Sequence, residues 1–414
     1  LALVPPIALR YPIKKWAAGA ALLGALAYSI ISGATVPTQR AFLMIGLVLA
    51  AVILDRRGLS MRMVAWAGGV ILLFRPESLL GPSFQLSFAA VTALIAAYEA
   101  LRDRDRAHSG KRNWTTRLLF YLAGVAFTTL IAGLATAPFA LYHFNKIAAY
   151  GLVANLIAVP VTALWTMPWA VVSFLLMPFG LESLGLTPMG WGIGVIIDVA
   201  RTVSSWPGAV SLVPAMPVSG LVMIAFGGLW LCLWRTKLRL FGGIGLVAGA
   251  MTLFLVRPPD ILIEGRGKLM AVRTAKGELA LSSLRRAKFT RKIWLRRMGL
   301  SGAGISWSKK GFSDERLSCD GLGCLYRIEG KLVALAARGE ALLEDCQSAD
   351  IVLSAVPVRG SCPSPDLVID RFDLWRNGAY ALWFKPGGEV KVESVNEGRG
   401  KRPWVIFPKK RKKP

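Results

Sequence analysis

Up to about residue 256 one apolar tract follows another with hardly an acidic residue between them; beyond Arg257 come Gly-punctuated alternating runs, four cysteines and a run of lysines. No one packing scheme serves both halves. Hydrophobic residues make up 54% of the 414-residue chain and its mean hydropathy is +0.50, more apolar material than the core of a soluble protein absorbs, so the excess must face lipid. The chain reads as an α-helical polytopic membrane domain over 1–256, a soluble α/β domain over 257–402 and a basic tail over 403–414. It opens at Leu1 and runs through Pro5, Pro6, Lys14 and Lys15 into an apolar helix, so no signal peptide is expected, and it reads as a truncated piece of something longer.

Charge divides unevenly between partners. Residues 1–256 hold nineteen Lys/Arg against seven Asp/Glu and the remainder thirty-one against seventeen, net +12 and +14 of the total +26. Cationic loops are expected on the cytoplasmic side of any inner-membrane protein, but nothing in that rule makes a soluble domain basic. Its excess calls for an anionic neighbour, either lipid head groups or nucleic acid.

Candidate spans cover 16–32, 41–54, 63–74, 84–101, 118–142, a long interrupted tract over 147–177, an amphipathic stretch over 189–204, then 218–234 and 240–256. Short spans and the internal prolines Pro160, Pro168 and Pro178 suggest half-helices lining a watery path, the other reading being packed helices that prolines merely kink. Arg56, Arg57 and Arg62 make one basic connector, Arg102 to Arg117 a second with six basic residues, and Arg235, Lys237 and Arg239 a third. Placing these in the cytoplasm delivers the chain after the last span to the periplasm.

Polar residues inside spans carry functional hints, because an unpaired charge at a helix centre costs about 2.5 to 3.5 kcal/mol on insertion scales. Arg40, Gln85, Asn155, Asp198 and Arg201 are the ones to explain. Asp198 and Arg201, three apart, suit an intramembrane ion pair. Gln85 and Asn155 suit either a polar path or interhelical hydrogen bonding.

Three stretches are less generic: Ser32-Gly-Ala-Thr-Val-Pro-Thr-Gln-Arg40-Ala, Gly81-Pro-Ser-Phe-Gln85-Leu-Ser-Phe-Ala-Ala, and Tyr142-His143-Phe-Asn followed by Gly151-Leu-Val-Ala-Asn155-Leu-Ile-Ala-Val-Pro160. In order and spacing they resemble the ComEC/Rec2 competence family of inner-membrane DNA-uptake channels, over most of residues 10–256. The resemblance implies passage of one DNA strand through the bacterial inner membrane in natural transformation. Its partners would be single-stranded DNA, the lipid bilayer, other competence proteins and a homo-oligomeric copy, with no cofactor. It also carries over Arg40, Gln85, His143, Asn155 and Pro160 as channel-lining or channel-shaping residues. Such a path needs donors for phosphates across about 30 Å of hydrocarbon and aromatic faces for bases, for which Trp165, Trp169 and Trp191 compete with ordinary interfacial anchoring. The family usually has an amino-terminal soluble domain and earlier spans, so the chain is expected to form part of a channel. The competing function is a secondary transporter of a small solute, which would show the same midplane polar residues and broken helices.

After Arg257, alternating runs at 260–264, 269–273, 279–282, 331–335, 350–354, 367–370, 379–383 and 389–393 read as strands, with one helix near Arg285 to Met298. In the resembled family this position often holds a metallo-β-lactamase-like hydrolase with two metal ions in a His/Asp cluster. Here the only histidines are His108 and His143, both in the membrane half, so a degenerate domain without metal or enzymatic activity is expected. Asp350, Asp366, Asp370 and Asp373 are either solvated surface acids or a weak cation site. Cys319, Cys324, Cys346 and Cys362 suit two disulfides in an oxidising compartment; four cysteines allow three pairings, among them Cys319 with Cys324 across a short hairpin. A zinc site is the rival, without a Cys-x-x-Cys knuckle. The tail over Lys409 to Lys413 is either solvated or gathers DNA.

Overall fold

The structure is a computed structural model describing residues 12–33, 36–55, 60–102, 113–307, 314–360, 362–400 and 402–403. His108 and the Lys409 to Lys413 tail lie outside the described residues. The chain divides into two compact units, Leu1–Ser211 with Met216–Phe254, and Leu212–Ala215 with Leu255–Pro414.

The first unit is helical. Its elements are α1 (Ile13–Ile31), α2 (Val36–Ile53), α3 (Met61–Phe74), a 3-10 turn (Pro76–Leu80), α4 (Pro82–Arg102), α5 (Trp114–Phe144), α6 (Gly151–Val161), α7 (Met167–Leu176), α8 (Ser183–Ser205), α9 (Val218–Leu233) and α10 (Phe241–Leu255), with a small sheet of β1 (Lys146–Ala148) and β2 (Val210–Leu212). Among the described residues five helical stretches are long and apolar enough to cross a membrane: Pro82–Leu101, Trp114–Phe144, Gly151–Phe179, Ser183–Ser205 and Lys237–Leu255. Only 6–17% of each is buried, so their apolar side chains face outward, as lipid solvent requires. Five such helices make this unit membrane-spanning by length and apolarity.

The tract over 147–177 is not broken. Helix runs without interruption from Gly151 to Phe179, with a π turn at Thr162–Thr166 between α6 and α7. The wider turn lies just ahead of Pro168, whose ring in a regular α-helix would strike the carbonyl of Leu164. Pro160 stays inside α6. Of the two readings of the prolines, the structure has them inside one continuous helical run over these residues.

Glycine brings α9 and α10 together as an antiparallel hairpin. A side chain on Gly227 would meet the Gly242 carbonyl at 2.6 Å, and one on Gly249 the Gly220 carbonyl at 2.6 Å. Backbones this close gain dispersion that larger residues would forbid.

The second unit is layered. One sheet has the order β13 (Val390–Ser394), β12 (Tyr380–Phe384), β3 (Ile261–Ile263), β4 (Met270–Arg273), β5 (Leu279–Leu281), β6 (Ile305–Ser306). The other has the order β11 (Leu367–Ile369), β10 (Ile351–Ser354), β9 (Lys331–Ala336), β8 (Gly323–Ile328), β7 (Leu317–Cys319), with β9, β10 and β11 parallel. Strand period two sorts the side chains. Ile261, Ile263, Met270, Val272, Leu382 and Phe384 meet Leu317, Tyr326, Val333, Leu335, Ile351 and Leu353 between the sheets. Leu262, Ala271, Leu279 and Leu281 point the other way onto α11 (Lys288–Arg297) through Leu295. On the second sheet Ala334 and Val352 point out onto the segment around α12 (Leu342–Ser348). Helix, two sheets and helix make an α/β sandwich. Two short helices, α13 (Arg371–Asn377) and α14 (Val395–Arg399), complete it.

Polar links fasten the layers. The Tyr326 hydroxyl, fully buried, crosses from one sheet to the other and donates to the Arg273 carbonyl at 2.8 Å. Burial, then the charge of Asp260, pushes this phenol up to about 12. Asp260 is 3% exposed; it accepts from the Arg273 guanidinium and from the Phe384 N–H at 2.9 Å. Two disulfides are present: Cys319–Cys324 joins opposed residues of β7 and β8, and Cys346–Cys362 pins α12 to the loop before β11. In the first hairpin the N–H groups of Gly323 and Leu322 hold the Asp320 carboxyl below its ordinary value.

Candidate functional site

Helix α4 enters from a 3-10 turn that Pro76 opens, and α5 leaves through Asn145, a left-handed C-cap with φ 54°. The two helices pack antiparallel, so the first turn of one meets the last turn of the other. There His143 Nε2 and Gln85 Oε1 lie 2.8 Å apart, while Gln85 Nε2 donates to the Leu79 carbonyl at 3.0 Å. An amide oxygen only accepts, so with this placement Nε2 of His143 carries the proton and Nδ1 is left as the acceptor. Beside them Asn145 is 6% exposed, and its Nδ2 finds no hydrogen-bond partner.

The same 3-10 turn borders a cavity of about 260 Å³ lined by Gln39, Phe42, Leu43, Ile71, Phe74, Arg75 and Ser78. The Ser78 hydroxyl is buried there without a partner. This collects a guanidinium, a hydroxyl and amide donors at one end of the helices, a set that suits anionic or carbonyl oxygens and offers no activated nucleophile.

Each residue carried over from the sequence falls near that end. Arg40 sits in the first turns of α2, its side chain outside the described residues. Asn155 sits in the first turns of α6 on an exposed face, and Pro160 one turn further, half-buried. Asp198 and Arg201, in the last turns of α8, approach to 4.0 Å with side chains 77% and 79% exposed, so the pair lies on the outside of this unit. Helical rise of about 1.5 Å per residue puts the residues Arg40, Gln85, His143, Asn155, Asp198 and Arg201 within roughly 10 Å of the helix ends on that side. They form a polar layer at one face rather than a column through the middle.

Most deeper hydroxyls are turned back on their own helices: Thr128 donates to Gly124, Thr136 to Ala132, Thr162 to Ala158 and Ser173 to Trp169, whereas the buried Thr166 hydroxyl has no partner. Trp165 donates its indole N–H to the Pro188 carbonyl, and so closes the contact with α8. The opposite end carries Lys15–Asp55 and Arg235–Glu99, exposed ion pairs between helix ends and basic connectors.

Arg75, Ser78 and Asn145 were not singled out by the sequence. Asn145 lies inside the Tyr-His-Phe-Asn stretch and was legible there, whereas Arg75 and Ser78 read as loop.

In the second unit the four aspartates do structural work. Asp370 caps α13 in a reciprocal capping box with Asp373. Lys331 bridges Asp366 at 3.0 Å and Asp350 at 3.8 Å, and Asp366 first of all raises its pKa. No group of three or more His, Cys, Asp and Glu able to hold a metal occurs among the described residues. The two histidines, His108 and His143, both lie in the helical half of the sequence, so the second unit has no imidazole to offer a two-metal centre.

Comparison with known proteins agrees on the first unit. A family model described as "Competence protein" matches residues 1–238. The chain is 30% identical over 164 residues to ComE operon protein 3 of Bacillus subtilis, 40% of this chain and 19% of that protein. It is 36% identical over 124 residues to Competence protein ComA of Neisseria gonorrhoeae, 28% of this chain and 17% of that protein. It is 30% identical over 152 residues to Recombination protein 2 of Haemophilus influenzae, 36% of this chain and 18% of that protein. In each case the chain spans less than a fifth of the relative's length. No solved structure matches it. With the family model covering more than half of its residues, the polar layer and all but the last of the membrane helices included, the chain belongs to the competence protein family.

Proposed function

We propose that the chain is a membrane component of DNA uptake in natural transformation, handing one incoming strand to a path through the inner membrane. What carries the reading is the Gln85–His143 pair with Arg40 and Asn155 in the same layer, within the region matched by the competence family. A polyanion approaching a bilayer needs fixed donors before it meets hydrocarbon, and Arg75 and Asn145 supply them at the rim, beside the Gln85–His143 pair. On this reading the basic connectors at the other end face the cytoplasm, which supports a periplasmic rim and a periplasmic second unit. On this reading the second unit is a non-catalytic domain without nuclease activity, since its residues do not fit a metal cluster. The continuous helix from Gly151 to Phe179 removes one of the features on which the solute-transporter alternative rested.

The test is genetic. Deletion is expected to abolish transformation by external DNA and to leave electroporation of the same DNA unchanged; equal loss in both assays would overturn the reading. His143→Ala removes a buried hydrogen bond worth about 1.5 kcal/mol and is expected to lower transformation about tenfold at constant protein abundance. His143→Gln, which keeps a donor, is expected to recover most of that loss.

A further inference from the structure

Helix α11 has a face that its own fold does not use. Leu295 and Trp294 pack onto the six-stranded sheet, and the Arg291 guanidinium turns inward to the Leu284 carbonyl. Arg285, Arg286, Lys288, Lys292 and Arg297 are exposed and Arg296 half-exposed. None of these six cations is in an ion pair among the described residues. Phe289, on the same outward face, is 77% exposed. The first turn holds no acidic residue and does hold Lys288, an unfavourable arrangement against the helix dipole unless an anion sits there.

Chain connectivity limits where this face can be. The Ala215 N–H donates to the Arg297 carbonyl at 2.9 Å, and Gly299, at φ +72°, packs against Pro214 with no room for a side chain. Three residues after Ala215 the apolar helix α9 begins, so the chain tethered at Ala215 to the C-terminus of α11 leads directly into the helical unit. The second tether leaves the same side of the sheet. Trp383 alternates with the inward Leu382 and Phe384, faces outward, and donates its indole N–H to the carbonyl of Arg257, two residues beyond the end of α10.

We propose that the outward face of α11, with Arg285 and Arg286, docks on the anionic head groups of the phospholipid bilayer. Two tethers on one side, a ridge of uncompensated cations and a single exposed aromatic side chain are what an interfacial anchor requires. A nucleic acid strand would instead want a groove with several aromatic platforms, and this ridge offers only Phe289. The inference rests on membrane insertion alone and stands or falls independently of DNA uptake.

The test uses the full chain in nanodiscs of phosphatidylcholine, with or without phosphatidylglycerol, and reads hydrogen exchange over residues 285–297. Phosphatidylglycerol is expected to slow exchange of the first-turn amides on the order of fivefold, the effect being lost in high salt. It is also expected to be lost in the Arg285→Gln, Lys288→Gln, Lys292→Gln triple variant, with unchanged exchange in β8 and β9 showing that the fold survives. If the variant does misfold, the salt series on the unaltered chain decides. Equal exchange in both discs overturns the proposal. So does slowing produced by a single-stranded oligonucleotide in phosphatidylcholine discs but not by phosphatidylglycerol, which would make the ridge a nucleic-acid site.

Discussion

A phenol buried between two sheets can exchange neither its hydrogen bond nor its proton with water. Tyr326 is held at about 12 against an ordinary value near 10, so the unfolded chain ionises first as pH rises. Its contribution is fully present below pH 10 and is lost between roughly 10 and 12, about 2 to 3 kcal/mol in all. The second unit is expected to lose less Tm between pH 9.5 and 11.5 in Tyr326→Phe than in the unaltered chain, read by near-ultraviolet circular dichroism. Asp260→Asn is expected to cost about 3 to 5 kcal/mol by stranding Arg273, measured by denaturant unfolding. Single residues were unevenly legible in the sequence. Gln85 and Asn155 stood out because amides are rare among apolar neighbours. Tyr326 did not, because a tyrosine in a strand gives no sign of which layer its hydroxyl will reach.

At the scale of elements, apolar length was enough to find the helices and period two enough to find eight strands. In the second unit β6, β7 and β8 escaped, β6 because it is two residues long and β8 because it packs residues on both faces, Cys324, Tyr326 and Ile328 on one and Leu325 on the other. The short helices α12 to α14 are too brief for a 3.6-residue pattern. The prolines left two readings open for a different reason. A π turn supplies the slack that a sequence pattern has no way to show. Close glycine packing makes a test of the α9–α10 hairpin: Gly227→Val or Gly249→Val is expected to cost about 1 to 3 kcal/mol by overpacking. Gly243→Ala, where a side chain meets nothing within 4 Å, is expected to be neutral or mildly stabilising. Thermal unfolding in detergent separates the two outcomes.

For the whole molecule, topology and redox chemistry make one joint prediction. Two disulfides leave Cys232 as the free thiol among five cysteines. Protein denatured without reductant is expected to take up one maleimide per chain, rising to five after reduction; five without reduction would put the second unit in a reducing compartment. Removing the Cys346–Cys362 bridge, which closes a 16-residue separation, is expected to cost about 3 kcal/mol by the loop-entropy relation. The confinement of polar side chains to one end has its own corollary. Among the described residues a single copy furnishes a lip and no polar column below it: the deeper hydroxyls are engaged on their own helices, Thr166 excepted. On the proposed function, a strand that goes further is sheathed by neighbouring protein. Ionic conductance in planar bilayers should therefore rise more steeply than linearly with the amount of purified chain, and an obligate monomer that conducts would contradict this.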